Sequence, residues 1–126
     1  MKTELNEVEI NGVKYVKADQ IKSYEPAIKK DGLEYAIVRS RNHGVLAGYI
    51  VKFEGQIVEL VHSRRIWYFS GCETLEELAV YGTKKINECK IAPTVINKEI
   101  MLEACGIIYC TEEARKCIEG AREWRS

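Results

Sequence analysis

The chain has 126 residues, of which 46% are apolar and 30% are charged. That length and composition fit one globular domain and argue against a disordered chain or a multidomain assembly. Basic and acidic residues number 19 each, so the formal net charge is zero. We therefore expect no general electrostatic attraction to duplex nucleic acid or to an acidic membrane. Any anionic ligand therefore has to be bound by a local group of cationic side chains.

The N-terminal residues lack the hydrophobic core of a signal peptide, and the apolar runs are short throughout. We expect no membrane partner and a cytoplasmic location. Five cysteines at irregular spacing, without a Cys-x-x-Cys pair, predict reduced and mostly buried thiols. His43 and His62 are far apart in the sequence and lack ligand spacing, so we predict no metal and no other cofactor.

A small β-hairpin is predicted at the N-terminus. Residues 8–16 alternate apolar and polar on both sides of Asn11-Gly12, a pair that favours a tight turn. Asp19 is expected to cap a short helical stretch after the hairpin. We interpret residues 1–31 as a hairpin and connector, and residues 32–126 as the main α+β ligand-binding domain.

The main domain is predicted to begin with an antiparallel meander. Its strands are rich in β-branched and aromatic residues, and turns containing glycine separate them. The predicted strands are residues 35–40, 45–53, 56–61 and 62–69. Residues 90–96 and 99–109 are further strand candidates, although residues 100–104 fit a helix as well.

Capping signals predict two helices. Thr74, followed three residues later by Glu77, forms a capping box for a helix that ends at Gly82. Thr111 begins a second helix, and acidic residues in its first turn suit the positive end of the helix dipole. The predicted apolar stripe of this helix is Ala114, Cys117, Ile118, Ala121 and Trp124.

The expected fold class is therefore α+β. An antiparallel β-sheet meander carries two helices packed on it, with a short N-terminal hairpin appendage.

Residues 64–69 place two arginines directly before three aromatic residues. Guanidinium groups make bidentate contacts with phosphate and aromatic faces stack on bases, so this combination is typical of a nucleotide site. A structural alternative also fits, in which Trp67 and Phe69 point into the core while Arg64 and Arg65 are solvated charges. In either case we expect at least one aromatic face outside the intramolecular core.

Lys84 and Lys85 follow the predicted helix end, where cations complement the negative end of the dipole. They are also candidate phosphate contacts. The string Gly82-Thr83-Lys84-Lys85 lacks the earlier glycine of a phosphate loop, so we exclude a Walker site.

Catalytic chemistry has little support in the sequence. His62 and Ser63 are neighbours and point to opposite faces of a strand, so they do not form a nucleophile and its base. Cys72 lies near a helix start and is the single plausible reactive thiol. We predict no catalytic residues and a protein that is not an enzyme.

From Glu34 to the C-terminus the chain resembles a family of small phage and prophage proteins grouped as a domain of unknown function. The specific part of this resemblance is the string from Arg64 to Gly71. The other segments that carry it are residues 35–39, 44–48, 75–79, 84–85, 89–90 and 107–114.

In size, element order and phage context, the chain is similar to the Thoeris anti-defence proteins, which act as sponges for an NAD-derived cyclic ADP-ribose isomer. This resemblance implies binding without turnover, with the signal held at subunit interfaces of a homo-oligomer, a dimer or hexamer. For some members it implies a separate site for cyclic trinucleotides. The location that it implies is the cytoplasm of an infected bacterial host cell.

Our first hypothesis is a protein that sequesters a cyclic nucleotide immune signal without cleaving it. In this hypothesis Arg64 and Arg65 pair with phosphate, and Trp67, Tyr68 or Phe69 stacks on a base. The auxiliary cations are Lys84, Lys85, Arg115 and Arg122. The predicted ligand-binding residues are Arg64, Arg65, Trp67, Tyr68, Phe69, Lys84, Lys85, Arg115 and Arg122.

The alternative is a small protein-interaction module that binds a host or phage protein through an aromatic and arginine patch. An enzyme that cleaves nucleotide signals lacks an acid, base or metal set. Single-stranded nucleic acid suits the aromatic and arginine chemistry, but the neutral net charge weighs against it.

Overall fold

The computed structural model describes the backbone of residues 7–10 and 13–16, and residues 25–125 with their side chains. The strands in these ranges are β1 (Glu7–Ile10), β2 (Val13–Val16), β3 (Glu34–Ser40), β4 (Val45–Glu54), β5 (Ile57–Tyr68), β6 (Lys90–Ile91), β7 (Glu99–Met101) and β8 (Ala104–Tyr109). The helices are α1 (Leu75–Tyr81), a 3-10 helix (Ile86–Glu88) and α2 (Glu112–Glu119).

Strands β1 and β2 pair antiparallel, with Val8 opposite Tyr15 and Ile10 opposite Val13. The strands of the predicted N-terminal hairpin are therefore confirmed. The turn pair Asn11-Gly12 and the helical stretch predicted after Asp19 lie outside the described residues.

The main sheet is antiparallel throughout and runs in the order β8-β3-β4-β5. Strands β6 and β7 both pair with the outer edge of β5, β6 near its C-terminal end and β7 near its N-terminal end. Both helices contribute to the apolar cluster on one face of the sheet. The predicted α+β fold class, with two helices on an antiparallel sheet, is confirmed.

Each face of the sheet carries a buried apolar cluster. The strands supply both clusters because successive residues of a strand point to opposite sides. The helix-side cluster joins Tyr35 and Ile37 of β3 to the helices through Leu78, Ala79, Ala114 and Ile118. The cluster on the other face contains Ala36, Val38, Leu46, Val58, Leu60 and Met101.

Strand β5 is one bent strand, where the sequence predicted two successive ones. Its register with β4 shifts midway, so that His62 and Ser63 lie opposite Gly48 alone. His62 takes a positive φ of 51°, and this arrangement is a β-bulge. A Cβ at Gly48 would lie 2.8 Å from the Cα of Ser63. The bulge therefore requires glycine on the opposing strand.

The sheet is coiled strongly but remains open. Only Leu102 and Glu103 separate β7, on the edge of β5, from β8, on the edge of β3. The amide of Ala104 also donates to the carbonyl of Gln56 in the β4–β5 turn. The two edges of the sheet therefore approach each other, and the ambiguous residues 100–104 form a strand, a turn and a strand rather than a helix.

The strand predicted over residues 90–96 is interrupted. Lys90 and Ile91 form β6, and Val95 pairs with Ser63 as an isolated bridge. Pro93 lies between these two contacts and has no N–H to donate to a strand ladder.

Both helices begin as predicted. The side chains of Thr74 and Thr111 accept hydrogen bonds from the amides of Glu77 and Ala114, and α1 ends at Gly82 with a positive φ of 69°. Helix α2 ends at Glu119. Trp124, predicted on the apolar stripe of this helix, lies beyond its end.

The close approach at Gly48 predicts a stability difference between two glycine variants. Gly48→Ala is expected to lower the free energy of unfolding by roughly 1–3 kcal/mol, because its methyl group overpacks against Ser63. Gly106→Ala in β8 is the matched control, since a Cβ there meets nothing within 4 Å, and we expect a change within about 0.5 kcal/mol. Guanidinium denaturation measures both, and equal losses in the two variants would contradict the proposed overpacking.

Candidate functional site

Arg64 lies inside the protein and is only 2% exposed. Its guanidinium donates to the carbonyl of Ala92 at 2.8 Å and to that of Ile118 at 2.7 Å. Longer bonds of 3.3 to 3.4 Å reach the carbonyls of Ile91, Glu119 and Arg122. Burial lowers the pKa of this arginine, although arginine stays charged in proteins.

The structure thus contradicts both sequence interpretations of Arg64. It is not a solvated charge, and its donors are directed at backbone carbonyls rather than at an accessible phosphate position. The reason is local: helix C-termini leave carbonyls without intrahelical partners, and Arg64 binds those at the end of α2. Arg64 thereby joins the end of α2 to the edge strand β6, whose residue Ile91 also accepts from its guanidinium.

Arg65 points elsewhere, as expected for adjacent residues of a strand. Its guanidinium donates to the carbonyl of His43 in the turn between β3 and β4. The same turn carries an interaction between the His43 ring and Glu99 at 3.4 Å. The two arginines that the sequence assigned to one phosphate site are therefore bound to different segments of the fold.

His62 and Ser63 have separate partners, in agreement with the expectation that they form no nucleophile and base pair. Ser63 is buried and donates to Glu99 at 2.7 Å. The His62 ring lies edge-on to Tyr49, with ring centroids 6.3 Å apart.

The three aromatic residues at the end of β5 differ in exposure. Trp67 is 65% exposed and Tyr68 is 51% exposed. Phe69 is partly buried and packs against the helix-side cluster. The expectation that at least one aromatic face lies outside the core is confirmed, although Trp67, the residue assigned inward in the structural alternative, is the most exposed of the three.

Two residues outside the predicted set complete this surface. The ring of Trp124 is nearly parallel to that of Trp67, with an interplanar angle of 8° and centroids 6.5 Å apart. The ammonium of Lys90 lies 5.3 Å from the ring centroid of Trp124 and 5.9 Å from that of Tyr68. Trp67, Tyr68, Lys90 and Trp124 together form what we call the aromatic patch.

The segment that carries Trp124 is fixed by backbone contacts. Its amide donates to the carbonyl of Ile91 at 2.9 Å. Arg122 donates to the carbonyl of Asn87 at 2.8 Å, and Arg64 binds the carbonyl of Arg122. Trp124 is therefore held by its own amide on β6, in a segment that Arg64, the arginine that the sequence assigned to phosphate, also binds.

Lys84 and Lys85 are exposed and lie in the loop after α1, residues 82–85, which we call the lysine loop. They line a cleft of about 470 Å³ that also contains Tyr81 and the carboxylates Glu77 and Glu113. The Thr83 hydroxyl orders the loop by donating to the carbonyl of Ser70 at 2.6 Å.

The lysine loop and the aromatic patch adjoin along the chain. Ser70 and Gly71 follow Tyr68 after one residue, and Gly71 contacts the loop so closely that a Cβ there would lie 2.2 Å from the Thr83 hydroxyl. On the neighbouring segment, the Cys89 thiol accepts from the Ser70 amide and Lys90 follows it. One end of the molecule therefore carries exposed aromatic rings together with Lys84, Lys85, Lys90 and Arg122.

Arg115 is separate from this group and is held by carboxylates. It pairs with Glu112 at 2.5 Å and with Glu119, and it lies 3.5 Å from the Tyr49 hydroxyl. The hydrogen bond from Arg115 holds the pKa of Glu112 at about 2, and the amide of Ile28 contributes. These ion pairs occupy Arg115, so the structure argues against its predicted role as an auxiliary phosphate contact.

The surroundings of Cys72, Cys89 and Cys110 raise the pKa of these three thiols. None of the five cysteines, all within the described residues, forms a disulfide. Burial raises the pKa of Cys72, with nearby Glu77 adding to the effect. It also raises the pKa of Cys89, and that of Cys110 to about 12. The surroundings of Cys72, which the sequence singled out, therefore disfavour its thiolate.

Among residues 25–125 and the two described hairpin strands, no group of three or more His, Cys, Asp and Glu residues is placed to hold a metal ion.

None of the helices in the described residues is long and apolar enough to cross a membrane.

Residues 33–118 match the family described as a domain of unknown function, DUF6948. The chain belongs to the DUF6948 family. No curated protein and no solved structure matches it. The resemblance to a family of unknown function is therefore confirmed at this level. Trp124 and Arg122 lie beyond the matched residues, so the DUF6948 match contains Trp67, Tyr68, Lys84, Lys85 and Lys90 but not the C-terminal part of the patch.

The position of Arg64 in the DUF6948 domain predicts a combined stability and spectroscopic effect. Arg64→Met is expected to lower the free energy of unfolding by roughly 2–4 kcal/mol, because several buried carbonyls lose a charged donor. The indole exciton signal in circular dichroism should weaken as Trp124 leaves Trp67. Arg125→Met is the control, since the Arg125 side chain is 75% exposed and pairs with Glu123. An unchanged exciton signal in Arg64→Met would contradict the positioning role.

The pKa of Glu112 predicts a pH-dependent contribution to stability. Its pKa is about 2 in the folded protein and 4.5 for the unperturbed group, so the carboxylate stabilises the fold above pH 4.5, and this contribution is lost as pH falls toward 2. Wild type should therefore melt at a higher temperature than Glu112→Gln at pH 7. The difference should shrink below pH 4.5, and a constant difference down to pH 2 would exclude the linkage.

Proposed function

We propose that this DUF6948 protein binds a nucleotide at the end of the molecule that carries the aromatic patch and the lysine loop. The observation that carries the proposal is the parallel pair of Trp67 and Trp124, 6.5 Å apart, with Lys90 over Trp124. Flat, exposed aromatic faces beside a cation suit a ligand that has a base and a phosphate.

Base stacking supplies the first part of the binding free energy. Stacking of a base on an aromatic side chain contributes about 1–3 kcal/mol, and every base offers a π-face. Trp67 is 65% exposed, so its ring is accessible to such a contact. The segment that carries Trp124 is already fixed, and fixed contact residues reduce the entropy lost on binding.

Phosphate groups would be met by the neighbouring cations rather than by Arg64. Lys84, Lys85 and Lys90 are exposed, and Lys90 already lies between two aromatic rings. Because the chain has no net charge, attraction of an anion depends on this local group. Glu77 and Glu113, which line the same cleft as Lys84 and Lys85, would repel additional phosphates and favour a ligand with few of them.

Within this class we propose a cyclic ADP-ribose isomer as the ligand and sequestration of an immune signal, without cleavage, as the activity. The support is the resemblance to the Thoeris anti-defence proteins, which implies a phage protein acting in the cytoplasm of an infected bacterial cell. Such a ligand has a purine and a pyrophosphate, matching a stacking surface beside lysines. Sequestration requires only that the dissociation constant lie below the signalling concentration.

The second candidate is a protein-interaction module. It is favoured by the exposure of Trp67 and Tyr68 side by side, because tryptophan and tyrosine dominate binding hot spots between proteins. This candidate predicts no small-molecule ligand for the patch.

Tryptophan fluorescence gives a direct test, because the only two tryptophans in the sequence are Trp67 and Trp124. Titration with cyclic ADP-ribose isomers should change the emission. Depleted ligand should be recovered intact after heat denaturation. Trp67→Ala should weaken capture roughly 10- to 100-fold through loss of stacking, and Lys85→Ala should weaken it less.

Tyr109→Ala is the matched control, since Tyr109 is a 49% exposed aromatic on β8, and it should bind like wild type. Recovery of altered products would replace sequestration by an enzymatic activity. If no nucleotide in a panel that includes cyclic oligonucleotides changes the emission or is depleted, the nucleotide proposal fails and the interaction module takes its place.

A further inference from the structure

The last part of β4 is an exposed strand edge, at the opposite end of β5 from the aromatic patch. Strand β3 pairs with β4 only as far as Ile50, opposite Glu34, whereas β4 continues to Glu54. Residues 51–54 are all exposed. Within the described chain Lys52, Phe53 and Glu54 pair with β5 alone, and Val51 lies at a register shift between β4 and β5. Open strand edges are templates for pairing with another chain.

The backbone of Phe53 faces this open edge. Glu54 and Ile57 close the β4–β5 hairpin across a two-residue turn in which Gly55 has a positive φ of 59°, as in a type II′ turn. Such a closing pair is hydrogen-bonded, and hydrogen-bonded pairs alternate with non-hydrogen-bonded ones along an antiparallel ladder. Phe53, opposite Val58, is therefore in a non-hydrogen-bonded position, and its N–H and C=O point away from β5.

We propose that two copies of the chain pair through this edge, antiparallel, about a twofold axis at Phe53. In this register the N–H of each Phe53 donates to the carbonyl of the other Phe53. Lys52 lies opposite Glu54 of the second copy, and Glu54 lies opposite its Lys52. The sequence Lys52-Phe53-Glu54 is thus complementary to itself, with two ion pairs on either side of an aromatic pair.

The charges also specify this register. A shift of one residue sets Lys52 opposite Phe53 and removes both ion pairs. An axis at Lys52 or at Glu54 sets like charges directly opposite each other, which destabilises a strand pair. The backbone leads to the same register, because Lys52 and Glu54 direct their hydrogen-bonding groups toward β5.

A cleft lies beside the edge, on the side where the second copy would pair. It has a volume of about 380 Å³, and the apolar residues that line it are Leu33, Ile50, Val51, Phe53 and Tyr109. In the proposed register Val51 lies opposite Gly55 of the other copy. Nothing lies within 4 Å of a Cβ at Gly55, so this turn approaches the cleft without a side chain in the way.

Charge exchange tests the interface. We expect wild type to have twice the 14.4 kDa chain mass in light scattering or sedimentation equilibrium at high concentration. Lys52→Glu and Glu54→Lys should each raise the dimer dissociation constant at least tenfold. The double variant exchanges both charges and re-creates both ion pairs, so it should recover most of the wild-type affinity.

Lys98→Glu is the control, because Lys98 lies on the neighbouring segment, pairs with Glu59 and is 59% exposed. It reverses a charge outside the proposed contact and should leave the dimer unchanged. Circular dichroism verifies that each variant is folded. A monomeric wild type at every soluble concentration, single variants that dimerise like wild type, or a double variant as weak as the single ones would overturn the proposal.

The interface and the nucleotide site are tested separately. The edge lies at the N-terminal end of β5 and the patch at its C-terminal end. The mass measurement requires no ligand, so loss of nucleotide binding in Trp67→Ala leaves the dimer prediction unaffected.

Discussion

The guanidinium of Arg64 holds together the end of the molecule that carries the candidate site. It connects the edge strand of the sheet, the end of α2 and the segment that follows that helix, all through backbone carbonyls. A buried charge is costly unless polar groups surround it. Here the carbonyls at a helix C-terminus, where the dipole is negative, provide that environment. The segment that carries Trp124 is anchored at this point, because the Ile91 carbonyl accepts from both the Trp124 amide and Arg64.

The second constraint is the bulge opposite Gly48. It bends β5, and the coiled sheet that results brings β7 and β8 close enough for a two-residue connection. The bend lies near the middle of β5, and the N-terminal and C-terminal ends of this strand have different surroundings. One end of β5 carries aromatic rings and lysines, and the other is paired with the exposed end of β4, which carries Lys52 and Glu54. The proposed ligand site and the proposed contact between copies thus lie at opposite ends of β5, the first on β5 itself and the second on the end of β4 that pairs with it.

Helix caps and turns could be predicted from the sequence, because each of them depends on residues that are close together along the chain. Thr74 and Thr111 cap helices through contacts within one turn, and Gly82 ends α1 because it adopts a positive φ. The turns at Gly44 and Gly55 follow from the same property. The bend at His62 was missed, since it arises from the close approach of Gly48 on another strand and not from the residues around it.

The sequence by itself determined the fold class, the capped helix starts and the presence of an aromatic and basic segment at residues 64–69, since each follows from composition or from spacing along the chain. Tertiary structure alone decided which of these side chains are accessible. Arg64 and Arg65 are adjacent and chemically identical, yet one is buried among carbonyls and the other is bonded to the His43 carbonyl. Likewise, Trp67 meets Trp124 across 57 positions of sequence, because a buried arginine fixes the chain after α2. Whether a strand residue is buried depends on which segments pack against that strand. These contacts join residues that are far apart in the sequence, so no local pattern specifies them.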